Sequence, residues 1–155
     1  MNIELKKAGI PDAELLHKMQ VKAFMPLLQK YEDYDTNPAN ETVERILQRL
    51  EQPFTDYYFI MFDNLEVGGI RIMRLDGGSR CKISPLFILP KHQGMGIAQE
   101  TIRLVEEIYS PSKGWELDTI LQEQGNCYLY EKMGYKQTGE AKVINDKMTL
   151  VFYEK

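Results

Sequence analysis

An apolar segment that ends in a glycine-containing turn and leads directly into an amphipathic helix is the most constraining feature of the sequence. The segment reads LFILPKHQGMGIAQETIRLVEE, with Pro90 closing the apolar run and Gly94 and Gly96 in the turn. The N terminus of a helix offers unpaired backbone N–H groups and a positive dipole end, and glycines let an anion approach the main chain. The turn therefore predicts a site for a phosphate or pyrophosphate group.

Two common phosphate-binding motifs do not fit this turn. A P-loop requires Lys and then Ser or Thr after its last glycine, whereas Ile97 and Ala98 stand there. A dinucleotide-binding fingerprint requires a third glycine within an early βαβ unit, whereas this turn follows three predicted strands. An ordinary tight turn between strand and helix is the purely structural alternative.

The spacing of apolar residues predicts one α/β domain that spans residues 1–155. Strands are predicted at 3–7, 57–62, 67–75, 81–89, 115–121, 135–141 and 148–153. Helices are predicted from Asp12 to Met25, where Pro26 should kink or end the first one, and at 40–51, 96–109 and 124–133. The order βααβββαβαββ predicts a mixed, mostly antiparallel central sheet flanked by helices.

Composition excludes several classes of function. The net charge of -4, with no basic stripe, disfavours nucleic acid as the principal partner and favours a cationic small substrate. No window is apolar enough to cross a bilayer, and no signal-peptide core is visible, so we expect a cytoplasmic protein. His17 and His92 have no partners at metal-ligand spacing, so no metal site is predicted, and Cys81 and Cys127 are expected to be free thiols.

Residues Gln93 to Ala98 fit the pattern Gln or Arg, two residues, Gly, one residue, then Gly or Ala. With its preceding strand, its amphipathic helix and the downstream LYEKMGY, LFILPKHQGMGIA resembles the acetyl-CoA motif of the GNAT superfamily of N-acetyltransferases. The resemblance extends over nearly the whole chain and is least diagnostic at residues 10–60. It implies a GNAT-like fold and an acetyl-CoA site that includes Gln93, Gly94, Met95, Gly96, Ile97 and Ala98.

The resemblance also implies a role for the strand before the turn. In the family this strand diverges from its neighbour, so that its main chain pairs with the pantetheine arm, and Leu86, Phe87 and Ile88 match those positions. A backbone N–H of Phe87 or Ile88 would then hold the thioester oxygen. Pro85 supports a local break in strand pairing, because proline removes a donor from the ladder.

Transfer to an amine requires groups that move protons. An amine with a pKa near 10.4 must first be deprotonated, which costs about 4.6 kcal/mol at pH 7. Asp118 resembles the family's strand carboxylate and would accept this proton directly or through water, unless it is simply a solvated carboxylate. Tyr130 matches the tyrosine that protonates the departing thiolate, although a buried structural role is the alternative.

The helix that carries Tyr130 departs from the family pattern at one position. Many members have a pantetheine-binding asparagine seven residues before this tyrosine, where this chain has Glu123. Asn126, one turn before Tyr130 on the same helical face, is the candidate substitute. Tyr128 points roughly the other way and is expected to pack or lie at the surface.

The acceptor side is less well defined. The segment 31–35, together with Glu41 and Glu44, contains acidic side chains and phenols that could attract a cationic substrate. The alternative is that this segment is a solvated charged loop. Tyr57 and Tyr58 either line the same mouth or fill a strand. The sequence leaves open a polyamine, an amino acid, an aminoglycoside or a protein N terminus as acceptor, and it leaves a homodimer open.

These features together predict an acetyl-CoA-dependent N-acetyltransferase. The acceptor would be a primary amine that attacks directly in a ternary complex, without an acetyl-enzyme. The alternative is a non-catalytic acyl-CoA-binding sensor or regulatory module. Retention of Tyr130 argues against that alternative.

Overall fold

The computed structural model describes all 155 residues, and its helices and strands follow the predicted order βααβββαβαββ, with four short 3-10 turns between them. The strands are β1 Ile3–Lys7, β2 Thr55–Phe62, β3 Leu65–Leu75, β4 Arg80–Ile88, β5 Trp115–Ile120, β6 Lys136–Asn145 and β7 Met148–Glu154. The helices are α1 Ala13–Tyr31, α2 Val43–Glu51, α3 Ile97–Ile108 and α4 Gln124–Lys132. The predicted α/β class is therefore confirmed.

All seven strands form one sheet in the order β1-β2-β3-β4-β5-β7-β6. Neighbouring strands run antiparallel, except for β4 and β5, which are parallel. A parallel pair needs a crossover connection, and α3 supplies it between β4 and β5. The sheet is therefore mixed and mostly antiparallel, as predicted.

The two faces of the sheet bury separate apolar cores. The larger core lies on the face covered by α3 and α4, and it joins Ile102 and Tyr130 from these helices to Ile72 of β3 and Tyr153 of β7. The smaller core lies under α1 and α2 and includes Leu16, which is fully buried. Helices on both faces protect both layers of strand side chains from water.

The first two helices differ from the sequence prediction. Helix α1 does not end near Met25 but continues through Pro26 to Tyr31. Pro26 and Lys22 are both exposed, so the Lys22 carbonyl that loses its helical partner can face water. Helix α2 begins later than predicted, because the hydroxyl of Thr42 accepts a hydrogen bond from the Arg45 N–H and caps the helix.

Candidate active site

The sheet contains a seam between β4 and β5. The two strands are in register only at Cys81 with Trp115 and at Lys82 with Glu116. Beyond Lys82, β4 has no strand partner on its β5 side, which is the divergence that the resemblance implied. The seam therefore leaves strand-edge hydrogen-bonding groups available to a ligand.

A bulge in β4 accompanies this divergence. Ile70 of β3 lies opposite Leu86 and Ile72 lies opposite Ile83, so Ser84 and Pro85 together face a single residue of β3. That residue, Arg71, is buried, and its Nε donates a hydrogen bond to the Ser84 carbonyl at 2.5 Å. Burial lowers the pKa of Arg71 to about 10. The local break in strand pairing predicted from Pro85 is present, and the hydrogen bond from Arg71 to Ser84 stabilises it.

The pairing of β4 with β3 determines which N–H groups face the seam. Leu89 donates its N–H to the Val67 carbonyl at 2.8 Å, so these two residues form a hydrogen-bonded pair. Such pairs alternate along an antiparallel ladder, which turns the Phe87 N–H toward β3 and the N–H groups of Leu86 and Ile88 toward the seam. The resemblance suggested the backbone N–H of Phe87 or of Ile88 as the oxyanion donor. The N–H of Phe87 faces β3, whereas that of Ile88 faces the seam.

The glycine turn leaves a row of backbone donors free. None of residues 94–99 donates a backbone hydrogen bond within the chain, and the first helical bond of α3 runs from Glu100 to the Gly96 carbonyl. Gly94 and Gly96 have φ angles of 78° and 82°, which disfavour other residues, and a Cβ at Gly94 would meet only open space. Gln93 ties the turn to the end of β4 by donating from Nε2 to the Ile88 carbonyl at 2.9 Å. The turn thus has the geometry of an anion cradle.

Two cavities meet at the seam. The larger, of about 800 Å³, runs along β4 from Leu86 to the glycine turn and includes Ile97 and Ala98; we call it the groove. The smaller, of about 310 Å³, lies between the α1–α2 connection, β5 and β7; we call it the pocket. The residues that line both are Phe24, Leu27, Leu86, Asn126 and Tyr130. The sequence-predicted residues Asn126 and Tyr130 therefore stand at the junction.

Tyr130 is 8% exposed, and its ring packs edge-on against Tyr135 with a centroid separation of 6.1 Å. No group of the chain hydrogen-bonds to its hydroxyl, which is thus free to meet a ligand. Burial, together with the nearby Asp118 carboxylate, raises the pKa of this phenol above its usual range. The hydroxyl therefore stays protonated at neutral pH.

Asp118 lines the pocket but not the groove. Its Oδ2 lies 3.5 Å from the Nζ of Lys82 on β4, so the two side chains form an ion pair across the seam. The side chain of Asp118 is 30% exposed, and its other carboxylate oxygen has no hydrogen-bond partner within the chain. An amine in the pocket could therefore contact this oxygen.

Glu123, which stands in place of the family's asparagine, is bound to α1. Its Oε2 accepts hydrogen bonds from the Tyr31 hydroxyl at 2.5 Å and from Lys30 Nζ at 2.8 Å. Burial alone would raise the pKa of the Glu123 carboxyl, but these hydrogen bonds outweigh it and lower the pKa. Asn126 has no such side-chain partner and faces both cavities, so it is better placed than Glu123 to bind pantetheine.

The acidic segment after α1 is free only in part, because three of its carboxylates have partners within the chain whereas Asp35 and Glu44 are exposed. Asp33 is 2% exposed and accepts hydrogen bonds from the backbone and hydroxyl of Thr36. Glu41 forms an ion pair with Arg49, and Glu32 forms one with Lys147. These three carboxylates are therefore already bound within the chain and are not available to a ligand in the same way as an unpaired carboxylate.

The two tyrosines at the start of β2 fill the strand and do not line the pocket. The Tyr57 hydroxyl donates to Gln20 at 3.0 Å, and the Tyr58 hydroxyl lies 2.8 Å from that of Tyr109. Tyr128 is 68% exposed, in agreement with its predicted position at the surface. Met95, within the glycine turn, is 47% exposed.

Several residues of the junction were missed by sequence reasoning. Phe24 and Leu27 of α1 line both cavities, and Met148 and Leu150 of β7 line the pocket. The spacing of Phe24 and Leu27, three residues apart on α1, is a signal that could have identified them as one face. The β7 residues carry no comparable signal, because their position depends on the pairing of β7 with β5.

Three further observations concern metal ions, membranes and thiols. No group of three or more His, Cys, Asp or Glu side chains is arranged to hold a metal ion. None of the helices has both the length and the apolar character required to span a membrane. Cys81 and Cys127 are both free thiols, as expected.

Comparison with solved structures identifies similar folds. The acetyltransferase of Salmonella typhimurium that modifies the N-terminal serine of the 50S ribosomal subunit protein L7/L12 has a TM-score of 0.77 at 16% identity, covering 100% of this chain and 95% of its own. The PaiA N-acetyltransferase of Thermoplasma acidophilum, in complex with coenzyme A, has a TM-score of 0.72 at 16% identity, covering 100% of both chains. A spermidine N-acetyltransferase chimera of Vibrio cholerae SpeG with hSSAT has a TM-score of 0.76 at 14% identity, covering 99% of this chain and 95% of its own.

Sequence comparison assigns the family. No curated protein matches the chain. The family model of the acetyltransferase (GNAT) domain matches residues 54–137, more than half of the chain, and this segment contains the seam, the glycine turn and Tyr130. The chain therefore belongs to the GNAT acetyltransferase family, which confirms the acyltransferase class predicted from its sequence.

Proposed function

We propose that the chain is an acetyl-CoA-dependent N-acetyltransferase that transfers the acetyl group to a primary amine by direct attack in a ternary complex. The observation that carries the proposal is the junction at Leu86 and Tyr130, where a long groove and a separate small pocket meet. One cavity can hold the acetyl donor while the other holds the acceptor. Direct transfer requires such an arrangement, because both substrates must be present together.

The groove fits the parts of acetyl-CoA. The free N–H groups of residues 94–99 would hold the pyrophosphate at the start of α3. The seam-facing main chain of Leu86 and Ile88 would pair with the pantetheine arm as an added strand. Asn126 would bind the same arm from the opposite wall of the groove. Acetyl-CoA supplies an acetyl group activated as a thioester.

The backbone of β4 would stabilise the charge that develops during transfer. Leu86 lies at the junction, and its N–H points into the seam. We therefore assign this N–H, with that of Ile88 as the second candidate, to the thioester oxygen. A positioned donor of this kind is typically worth about 10²–10³ in kcat, because it is already oriented before negative charge appears.

Two side chains would move the protons. Asp118 would accept a proton from the incoming ammonium group, directly or through water, from its place in the pocket wall. Tyr130 would donate its phenolic proton to the departing thiolate at the junction. What supports the donor role is the place of Tyr130 at the junction of the two cavities, where its hydroxyl is protonated at neutral pH and has no hydrogen-bond partner within the chain.

The test is acetyl-CoA-dependent release of free thiol with a panel of primary amines, for wild type and Tyr130→Phe. We expect kcat to fall by about 10²–10⁴-fold in the variant, the usual contribution of general acid catalysis. Tyr135→Phe is the matched control, because its hydroxyl bonds to Glu106 and lines neither cavity. Initial rates with both substrates varied should give the intersecting pattern of a ternary complex.

Three outcomes would count against parts of this proposal. Parallel lines in the two-substrate kinetics would indicate an acetyl-enzyme and refute direct transfer. Equal rates for Tyr130→Phe and Tyr135→Phe would remove Tyr130 from the mechanism. Acetyl-CoA binding without turnover of any amine would favour a non-catalytic sensor instead.

A further inference from the structure

The size and the lining of the pocket indicate which kind of acceptor it could bind. Its volume of about 310 Å³ is at the low end of small-molecule sites, which span about 300–1,000 Å³. That volume equals roughly ten times the share of one water molecule in the liquid. The pocket therefore fits a compact molecule and leaves no room for several residues of a peptide.

Only one of the carboxylates that line the pocket has an oxygen without a hydrogen-bond or ion-pair partner within the chain. Asp33 and Asp118 are the only acidic residues in its lining. Asp33 is buried, with both carboxylate oxygens hydrogen-bonded to Thr36. Asp118 is half-buried, with one oxygen near Lys82 and the other without a partner. An ammonium group can therefore contact the partner-free oxygen of Asp118 directly, whereas both oxygens of the buried Asp33 are already hydrogen-bonded to Thr36.

No positive side chain lines the pocket. Its 17 lining residues include no lysine, arginine or histidine, and Lys82 reaches Asp118 from outside the lining. A substrate carboxylate would thus lose its hydration without gaining a charged partner, which is costly. This arrangement disfavours free amino acids as acceptors.

The remaining walls combine apolar side chains with neutral polar ones such as Thr36, Asn37 and Thr119. Apolar side chains come from α1, both sides of the seam and β7, and they are Phe24, Leu27, Ile83, Pro85, Leu86, Ile120, Met148 and Leu150. Surfaces of this kind bind hydrocarbon or aromatic groups by excluding water. A polyamine of similar length would place a further ammonium group against these apolar side chains, and Asp33, the other carboxylate of the lining, is already hydrogen-bonded to Thr36.

Contacts between distant segments bound the pocket near the end of α1. Tyr31 donates its hydroxyl to Glu123 and accepts at its carbonyl a hydrogen bond from Asn145 Nδ2 at 2.9 Å. Lys147 in the β6–β7 turn pairs with Glu32. The α1–α2 connection, the start of α4 and the β6–β7 hairpin are thereby held together, which limits widening of the pocket for a longer acceptor.

We propose that the acceptor is a small primary amine with a single positive charge, a compact apolar body and no carboxylate. This inference rests on the proposed function, because it assumes that the pocket is the acceptor site. The ammonium group contacts Asp118, and the apolar body packs between Phe24 of α1 and Leu150 of β7. The amine nitrogen then lies on the side of the pocket that opens toward Tyr130.

The test compares four probes of graded chemistry. The first is 2-phenylethylamine, and the second is spermidine, which is of similar size but carries more charges. The third is phenylalanine, which differs from 2-phenylethylamine by its carboxylate, and the fourth is a tetrapeptide amide with uncharged side chains. Binding of each is measured by calorimetry on the full chain with coenzyme A present, and turnover is measured in parallel with acetyl-CoA. We expect 2-phenylethylamine to bind at least about tenfold more tightly than the other three, because each of them buries an unpaired charge or exceeds the pocket.

Paired variants test the role of each wall. Asp118→Asn should weaken the binding of 2-phenylethylamine by about tenfold or more. Glu116→Gln should leave this affinity unchanged, because Glu116 lies outside the pocket and pairs with Arg80. Leu150→Glu adds a further carboxylate to the lining and should shift the preference toward spermidine. Circular dichroism and thermal melts establish that each variant is folded.

The outcomes separate this inference from the proposed function. Equal or tighter binding of spermidine, phenylalanine or the peptide by wild type would overturn the acceptor class, even if turnover is observed. Lack of binding by all four probes in the presence of coenzyme A would overturn it as well. Failure to bind either coenzyme A or acetyl-CoA would instead overturn the proposed function, whatever the ranking of the amines.

Discussion

Gly68 of β3 is the position where one added methyl group should disturb the groove most directly. A Cβ placed on Gly68 would lie 2.2 Å from the Phe87 carbonyl oxygen of β4, and 3.2 Å from the Ile88 Cα. The 2.2 Å separation is 1.2 Å below the 3.4 Å at which ordinary contact begins. The opposing atoms are backbone, so no side-chain rotation relieves the overlap, and Gly68→Ala must push β4 away from β3.

The magnitude follows from this overlap. Overpacking of a buried site typically costs about 1–3 kcal/mol of folding free energy. For a chain of this size each kcal/mol shifts Tm by about 2–4 °C, so a decrease of roughly 2–12 °C is expected. A misplacement of about 1 Å in a catalytic site can cost up to 10²-fold in rate, and the displaced residues carry the N–H groups assigned to the thioester.

The assay combines thermal melts, calorimetry with coenzyme A and thiol-release kinetics for Gly68→Ala and a neighbouring control. Gly69→Ala would place its Cβ 2.6 Å from the Cζ of the Phe87 ring, so its overlap is with a side chain rather than with the backbone. Both variants should lose stability, but Gly68→Ala should lose more coenzyme affinity and more kcat/KM. Unchanged coenzyme affinity in Gly68→Ala, despite a lowered Tm, would refute the role of this backbone in the groove.

Three further predictions test other parts of the structure. Gly94→Ala and Gly77→Ala both force alanine into positive φ in open space, so each should lose about 1–2 kcal/mol of stability, but only Gly94→Ala should weaken coenzyme A binding in calorimetry. Buried phenols such as Tyr57 and Tyr130 have raised pKa values, so above about pH 10 only the unfolded chain releases these protons and stability should fall. The part of the tyrosinate absorbance that is absent in Tyr130→Phe should therefore appear together with loss of circular dichroism, and its appearance before that loss would contradict this. The lowered pKa of Glu123 stabilises the fold above about pH 4.3 and this contribution is lost on acidification, so Glu123→Gln should show a smaller decrease in Tm between neutral and acidic pH than wild type.

The sequence predicts best those features that depend on neighbours along the chain. The glycine turn, the start of α3 and the three-strand meander each follow from short-range patterns, and the structure contains all three. Pro26 is the informative exception, because its effect depends on which side of α1 it occupies. That side is exposed, and the helix continues.

Most of the missed features depend on contacts between segments distant in sequence. The ion pair of Lys82 with Asp118 results from the parallel register of β4 and β5. The hydrogen bond of Tyr31 with Glu123 joins residues 92 positions apart. Neither pair has a periodic signature, so a single sequence gives the residue types without the partners that decide which carboxylates are free.

The seam between β4 and β5 has a consequence for the mechanical integrity of the sheet. Strands β1 to β4 and strands β5 to β7 are joined within the sheet by only two residue pairs, although a continuous apolar core lies beneath them. A ligand that hydrogen-bonds along this seam would act as an additional strand between the two halves. Occupancy would then stabilise the folded chain by RT ln(1 + [L]/Kd), and amide hydrogen exchange beside the seam should slow first. The seam that would admit a substrate is thus also the place where strands β4 and β5 are held together by the fewest hydrogen bonds.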